Sequence, residues 1–358
     1  MDFSLFYFAN NADEDRDRYR LLLDGARFAD THGFRAVWTP ERHFHSFGGL
    51  YPNPSVTSAA VAAVTERVAV RAGSVVAPLH HPVRVAEEWS VVDNLSNGRA
   101  GIAFASGWHA ADFVLRPENY ETRKSALMDT INTIRRLWRR EAVTLTDGAG
   151  EQVDVTVFPP PVQPELPAWL TSAGTPATFQ LAGEHGLGVL THLLGQDVSV
   201  LEKRISEYRN AFRDAHPESA GRGHVALMVH TFVGTDRDEV RELVRDPFSR
   251  YLASSFDLVI RAAEAVGGPE AAAAAREFRS MGPEDVEFLV AQAFDRYFDT
   301  SGMFGTVDDC LRMAKLLHSA DVDEVACLID FGLPHQRVLD SFGHLAELHD
   351  AWRSYQNS

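Results

Sequence analysis

The chain has 358 residues, 45% of them hydrophobic, and a formal net charge of -16. That is enough apolar material for one sizeable core, and the acidic balance, with no basic block, argues against nucleic-acid or anionic-membrane binding as the main task. Only Cys310 and Cys327 occur, without metal spacing or a disulfide framework. No basic leader precedes an apolar core at Met1, and no apolar run approaches the ~20 residues of a membrane span, so a reduced cytoplasm is the expected compartment.

Phe3 to Phe8 is apolar throughout and is predicted to be a strand buried on both faces. Acidic residues from Asp13 to Asp17 mark a helix start, Tyr19, Leu22, Leu23, Ala26 and Ala29 recur at helical spacing, and His32-Gly33 ends the run. Phe34 to Trp38 is a second strand, followed by the polar cluster Thr39 to Phe44. Ser55 to Glu66 is a helix, and Val68 to Val76 is a third strand in which Gly73 predicts a bulge or a close backbone approach. A helix over Val83 to Leu95, a turn at Asn97-Gly98 and a strand over Arg99 to Ala105 lead into Ser106-Gly107-Trp108-His109. Leu127 to Trp138 is helical, and a hairpin forms around Asp147-Gly148. A Pro-rich connector, Pro159 to Pro167, leads to strands at Ala168 to Thr171, Leu187 to Leu193 and Val225 to Val233, with helices between them. Residues 236–300 read as a helical insertion, a lid or surface pack, without a strand. Glu324 to Ile329 is the eighth strand.

Strands alternating with helices imply parallel pairing and an α/β class fold, a (β/α)8 TIM barrel. Such a barrel needs about 250 residues. The surplus is a hairpin insertion at about 142–167 and a helical insertion at about 236–300, within one domain over 1–358. In a barrel of this kind, chemistry gathers in the loops at the carboxyl ends of the strands. Those loops hold Glu41, Arg42 and His43 after strand two, Gly73 and Ser74 in strand three, Ser106, Trp108 and His109 after strand four, and Ser172, Gly174 and Thr175 after strand five. The last group suits an anion: small residues expose backbone N–H groups, and a helix N-terminus adds positive potential. Arg123 is a candidate counter-charge. A simple capped helix start would give the same residues, and Trp108 would equally fill a packed corner. His45 and His80 are expected at a pocket rim or in solvent, and His192 on the substrate side. His80-His81 is not a metal pair, because neighbours on extended backbone point to opposite sides. No metal site, dinucleotide fingerprint, P-loop or nucleophile elbow is present.

Three stretches together resemble bacterial-luciferase-like flavin-dependent monooxygenases: Trp38 to Phe44 with Pro52-Asn53-Pro54, His81 to Arg84 with Asn94 to Arg99, and Ser106 to His109 with Asp112-Phe113 and Pro117 to Tyr120. The last is similar to a branch associated with polyketide and non-ribosomal peptide assembly lines. The resemblance runs from the first strand to Phe331-Gly332. It implies the barrel fold, a homodimer, reduced FMN supplied by a separate flavin reductase, and transfer of one oxygen atom from dioxygen to a small-molecule substrate, free or on an acyl- or peptidyl-carrier protein. It further implies that Glu41 and His43 face the isoalloxazine with His109 as a third catalytic group. Gly73-Ser74 hold a non-prolyl cis peptide against the ring, Ser106 and Trp108 line it, and Ser172, Gly174, Thr175 and Arg123 bind the phosphate. Luciferase proper carries histidine, cysteine and arginine where Arg42, Ala105 and Ser106 stand, which argues against light-emitting aldehyde oxidation. The competing readings are a deazaflavin- or FMN-dependent dehydrogenase on the same barrel and a non-enzymatic flavin-binding relative.

Overall fold

The computed structural model describes residues 1–8, 17–45, 48–266 and 280–357, with backbone alone for 255–266 and 283. Eight parallel strands close into a ring: β1 (Asp2–Phe6), β2 (Ala36–Thr39), β3 (Ala69–Val76), β4 (Ala100–Ala105), β7 (Ala168–Thr171), β8 (Gly188–His192), β9 (Val225–Val233) and β11 (Glu324–Leu328). Closure comes from β8 on β9, β9 on β11 and β11 on β1, where Phe6 lies opposite Leu328. The eight expected strands are therefore present. Their apolar runs arise because helices cover a parallel sheet from outside while its inner face fills the barrel.

The helices form the outer layer. They are α1 (Arg20–Thr31), α2 (Pro54–Ala62), α3 (Pro82–Ser96), α4 (Leu127–Trp138), α5 (Pro176–Glu184), α6 (Val198–Ala215), α7 (Arg237–Val266), α8 (Pro283–Thr300), α9 (Val307–Ser319), α10 (His335–Asp340) and α11 (Phe342–Gln356). Two expectations need correcting, and one short strand is additional. The first helix begins at Arg20 with no acidic residue in its first turn, so Asp17 lies outside it, and Asp13 falls outside the described residues. The second helix stops at Ala62 rather than Glu66, because Asp30 of α1 accepts hydrogen bonds from the backbone N–H groups of Glu66, Arg67 and Val68 and draws that segment out of the helix. A further strand, β10 (Met303–Gly305), pairs with the end of β9. Three residues are too few to show a period.

The hairpin insertion is β5 (Val143–Thr146) with β6 (Gln152–Val155), its loop held by Asp147 Oδ1 on the N–H groups of Ala149 and Glu151. The Pro-rich connector lies against α3, where buried Asp93 accepts the N–H groups of Val162 and Gln163. In the second insertion, α7 and α8 bury Phe248, Tyr251, Phe294 and Tyr297 against Phe304 and Phe331, so it packs on the barrel through an aromatic face. The Ala-rich run Ala271 to Ala275 lies outside the described residues.

Inside the barrel sits a charged cluster that hydrophobic patterning does not foresee. Arg71 of β3 donates to Glu324 Oε2 at 2.7 Å and lies between the rings of Trp38 and Trp169, at 4.8 and 4.6 Å. Ser4 and Trp38 donate to Glu324 Oε1. Burial alone would raise the Glu324 pKa, but Arg71, His224 and these donors outweigh it and hold the carboxyl down to about 2.

Candidate active site

The loop leaving β2 folds back so that Glu41 is fully buried beneath the mouth of the barrel. Its Oε1 accepts from His43 Nε2 at 2.8 Å and from His80 Nε2 at 2.6 Å, and its Oε2 accepts from the Val76 N–H at 2.7 Å. Burial pushes the Glu41 pKa up, yet the hydrogen bonds from His43, His80 and Val76 hold it below the ordinary carboxylate value. His80 titrates above the ordinary imidazole value, because the bond to Glu41 outweighs the opposing effect of burial. Glu41 and His43 are thus brought together as a unit, and His80, expected at the rim or in solvent, belongs to it instead. Its neighbour His81 turns the other way and caps α3 through the Val83 N–H.

The third strand carries the expected irregularity. Its register against β4 shifts between Gly73 and Val75, and the Gly73-Ser74 peptide is cis. A Cβ on Gly73 would lie 2.6 Å from the Phe6 ring, which explains the glycine. Ser74 Oγ lies 2.6 Å from Thr171 Oγ1, so the bulge is tied to the end of β7. Ser172, the next residue, is buried, and its Oγ accepts the N–H groups of Gly174 and Thr175 at 3.2 Å each. The loop donors expected to meet an anion are therefore gathered on one hydroxyl at the start of α5. Beside them lies Gln196, whose buried Oε1 has no partner and would be 2.9 Å from a Cβ at Gly174.

The loop after β4 turns at Gly107, at φ 76°, where a Cβ would come within 2.9 Å of Phe113 and Val76. Only glycine lets this loop settle on the small cluster of Val76, Leu79, Phe113 and Tyr120. Ser106 beside it is partly exposed. His109 Nδ1 lies 3.0 Å from Asp112 Oδ1, and no hydrogen bond or ion pair links His109 to Glu41 among the described residues. Trp108 is 46% exposed and stacks on the Arg42 guanidinium at 5.0 Å. Phe44 is 63% exposed. Arg123 lies just before α4, and its guanidinium rests on the Tyr120 ring at 4.1 Å. Its one side-chain hydrogen bond among the described residues goes to the Tyr120 carbonyl, its Nε has no partner, and it is buried.

Sequence reading missed the far side of the mouth. His230, in the apolar run of β9, is buried with Nδ1 at 3.0 Å from Tyr297 Oη, and its ring packs on Phe248, Tyr251 and Phe331. Burial, with a smaller effect of His192, keeps it neutral well below the ordinary imidazole pKa. His192, at the end of β8, is pushed down by burial to about 4. A lone histidine in an otherwise apolar strand was the available signal. Tyr251 and Tyr297 gave none, since they come from a helical insertion whose docking is a tertiary matter.

These residues fit a flavin phosphate and ring. Arg123 is a buried cation with no carboxylate partner among the described residues, the buried Gln196 Oε1 and Arg123 Nε have no partner there either, and the bulge of β3 is tied to the end of β7. No group of three or more metal-ligating side chains occurs among the described residues. None of their helices is long and apolar enough to cross a membrane.

Residues 1–324 match the family described as luciferase-like monooxygenase. The oxygenase component of the flavin-dependent trigonelline monooxygenase of Acinetobacter baylyi is 28% identical over 251 residues, 67% of each chain. Two solved structures share the fold. The oxygenating constituent of the type II Baeyer–Villiger enzyme 3,6-diketocamphane monooxygenase from Pseudomonas putida, in complex with FMN, has a TM-score of 0.72 at 17% identity over 97% of this chain and 96% of that one. An F420-dependent secondary alcohol dehydrogenase, in complex with an F420–acetone adduct, has a TM-score of 0.69 at 18% identity over 98% of both chains.

Proposed function

The chain belongs to the luciferase-like monooxygenase family, and from that premise we propose that it is the FMN-dependent oxygenase of a two-component system. It takes reduced FMN from a separate flavin reductase and uses dioxygen to oxygenate a small-molecule natural-product intermediate, free or on an acyl- or peptidyl-carrier protein. A relative named as an oxygenase component and a sequence without a dinucleotide fingerprint support the division of labour. A homodimer in the cytoplasm completes the reading; both cysteines are free thiols, as a reducing compartment allows.

The observation that carries the reading is the bulged, cis-bonded β3 beside a buried carboxylate that fixes two imidazoles. When bound, reduced FMN supplies the electrons that let one atom of dioxygen enter the product while the other leaves as water. Arg123 and the loop from Ser172 through Gly174 to Thr175 would hold its phosphate, the Gly174 and Thr175 N–H groups turning to it from the Ser172 hydroxyl they otherwise meet. Gly73, Ser74, Ser106 and Trp108 line the ring. Glu41 occupies Nε2 of His43, so the atom at which His43 exchanges a proton with a bound ligand is Nδ1. His109, oriented by Asp112, stands as a second acid–base group at the β4 exit.

A barrel alone does not choose between oxygen insertion and hydride transfer. Oxygen uptake does. The pure protein with NADH should consume little oxygen until a flavin reductase and FMN are added, and uptake should then rise with product. Rapid NADH oxidation by the protein alone refutes the two-component reading. Turnover with a reduced deazaflavin and no oxygen consumption establishes the dehydrogenase.

A further inference from the structure

Three arginines are buried among the described residues. Arg71 is neutralised by Glu324, and Arg123 donates to the Tyr120 carbonyl. Arg42, 3% exposed, has no side-chain hydrogen bond among the described residues, and its Nε and Nη2 are both buried without a partner there. Those two nitrogens form one edge of the planar guanidinium, with parallel N–H groups spaced to meet the two oxygens of a carboxylate. The side chain is held where it is. Gly48, at φ 80°, passes so close that a Cβ there would sit 2.9 Å from Arg42 Cγ, and the Trp108 ring covers one face of the guanidinium. The charge of Asp112 acts on Arg42, but among the described residues the two form no ion pair, and Asp112 Oδ1 is engaged by His109. On the insertion side stands Tyr251, whose ring packs against His230, itself with a partnerless Nε2.

A buried cation with an unpaired donor edge is costly unless something anionic meets it. We propose that the Nε–Nη2 edge of Arg42 binds a carboxylate of the substrate, so that Arg42 selects an anionic small molecule for oxygenation at this mouth. This rests on the oxygenase reading for the word substrate, but the anion site itself does not. It also requires that a carrier-bound substrate keep a free carboxylate in addition to the acyl group held as the thioester.

The test uses flavin-free protein titrated with benzoate and with its neutral isostere benzamide, followed by calorimetry and by the fluorescence change expected from Trp108. Benzoate should bind about 10- to 100-fold more tightly than benzamide, the range for a bidentate charge-assisted contact. Arg42→Met should abolish that preference, and Arg42→Lys should restore only part of it. Equal binding of the two compounds by the unaltered protein overturns the proposal and needs no variant to fold. Arg42→Met that still prefers benzoate also overturns it. The competing anion is the flavin phosphate. If Arg42→Met lowers FMN affinity while sparing riboflavin, the edge serves the cofactor and the proposal fails. An unchanged FMN-to-riboflavin ratio supports it. Failure of the protein to bind FMN at all would instead refute the oxygenase reading and leave the benzoate preference standing.

Discussion

Replacing Glu41 by glutamine keeps the shape of the side chain and removes its charge. The carboxylate accepts three hydrogen bonds, from His43, His80 and Val76, in a fully buried position. An amide offers one oxygen. If that oxygen faces the imidazoles, the NH₂ group meets the Val76 N–H, and if it faces Val76, the NH₂ group meets both imidazoles. At least one buried donor is left unsatisfied either way, at about 1–3 kcal/mol, and the surviving bonds drop from charge-assisted to neutral strength, by about 1 kcal/mol each. Relief of carboxylate burial offsets part of this, so a net loss of about 2–4 kcal/mol is expected. The loss should depend on pH. Glu41 titrates below its ordinary 4.5 in the folded protein, so its contribution is present above pH 4.5 and fades as pH falls through the folded value. His80 titrates above its ordinary 6.5, so its contribution is present below pH 6.5 and fades as pH rises through the folded value. The gap between parent and Glu41→Gln in urea unfolding should therefore be widest between pH 4.5 and 6.5 and narrower near pH 8.5. An equal gap at pH 5.5 and pH 8.5, or no gap, refutes the coupling of Glu41 to charged imidazole.

Three further outcomes are expected. His43→Ala leaves Glu41 with His80 and Val76, so the protein should fold and bind flavin but divert consumed oxygen into hydrogen peroxide, with product falling by roughly 10²-fold; product and peroxide measured in one reaction decide it, and unchanged coupling rules out a chemical role. Ser172→Asp places a carboxylate where the Ser172 hydroxyl gathers the Gly174 and Thr175 N–H groups, and should weaken FMN more than riboflavin by about 1–3 kcal/mol at an effective dielectric near 20; equal loss for both flavins would put the phosphate elsewhere. Glu324→Gln strips buried Arg71 of its counter-charge and should cost about 3–5 kcal/mol near pH 7. Because Glu324 titrates at about 2 rather than 4.5, the parent should lose that advantage as pH falls through this range, and identical acid unfolding of the two proteins would refute it.

The sequence by itself determined the barrel. Parallel strands are covered on both faces, so Phe3 to Phe8, Arg99 to Ala105 and Val225 to Val233 announce themselves as apolar runs, and the helices between them force parallel pairing. It also determined local chemistry: the bulge at Gly73, the turn at Asn97-Gly98, and the opposite directions of His80 and His81 follow from neighbours along the chain. Tertiary structure alone decided the partners. His80 lies 39 residues from the Glu41 it binds, Ser74 lies 97 from Thr171, and Arg71 lies 253 from Glu324. No period or propensity carries such distances; they arise because barrel closure brings strand ends that are remote in sequence to one mouth or one interior layer. The solitary edge of Arg42 belongs to the same class. A sequence shows an arginine, but only the packed structure shows that its neighbours among the described residues leave Nε and Nη2 without an acceptor.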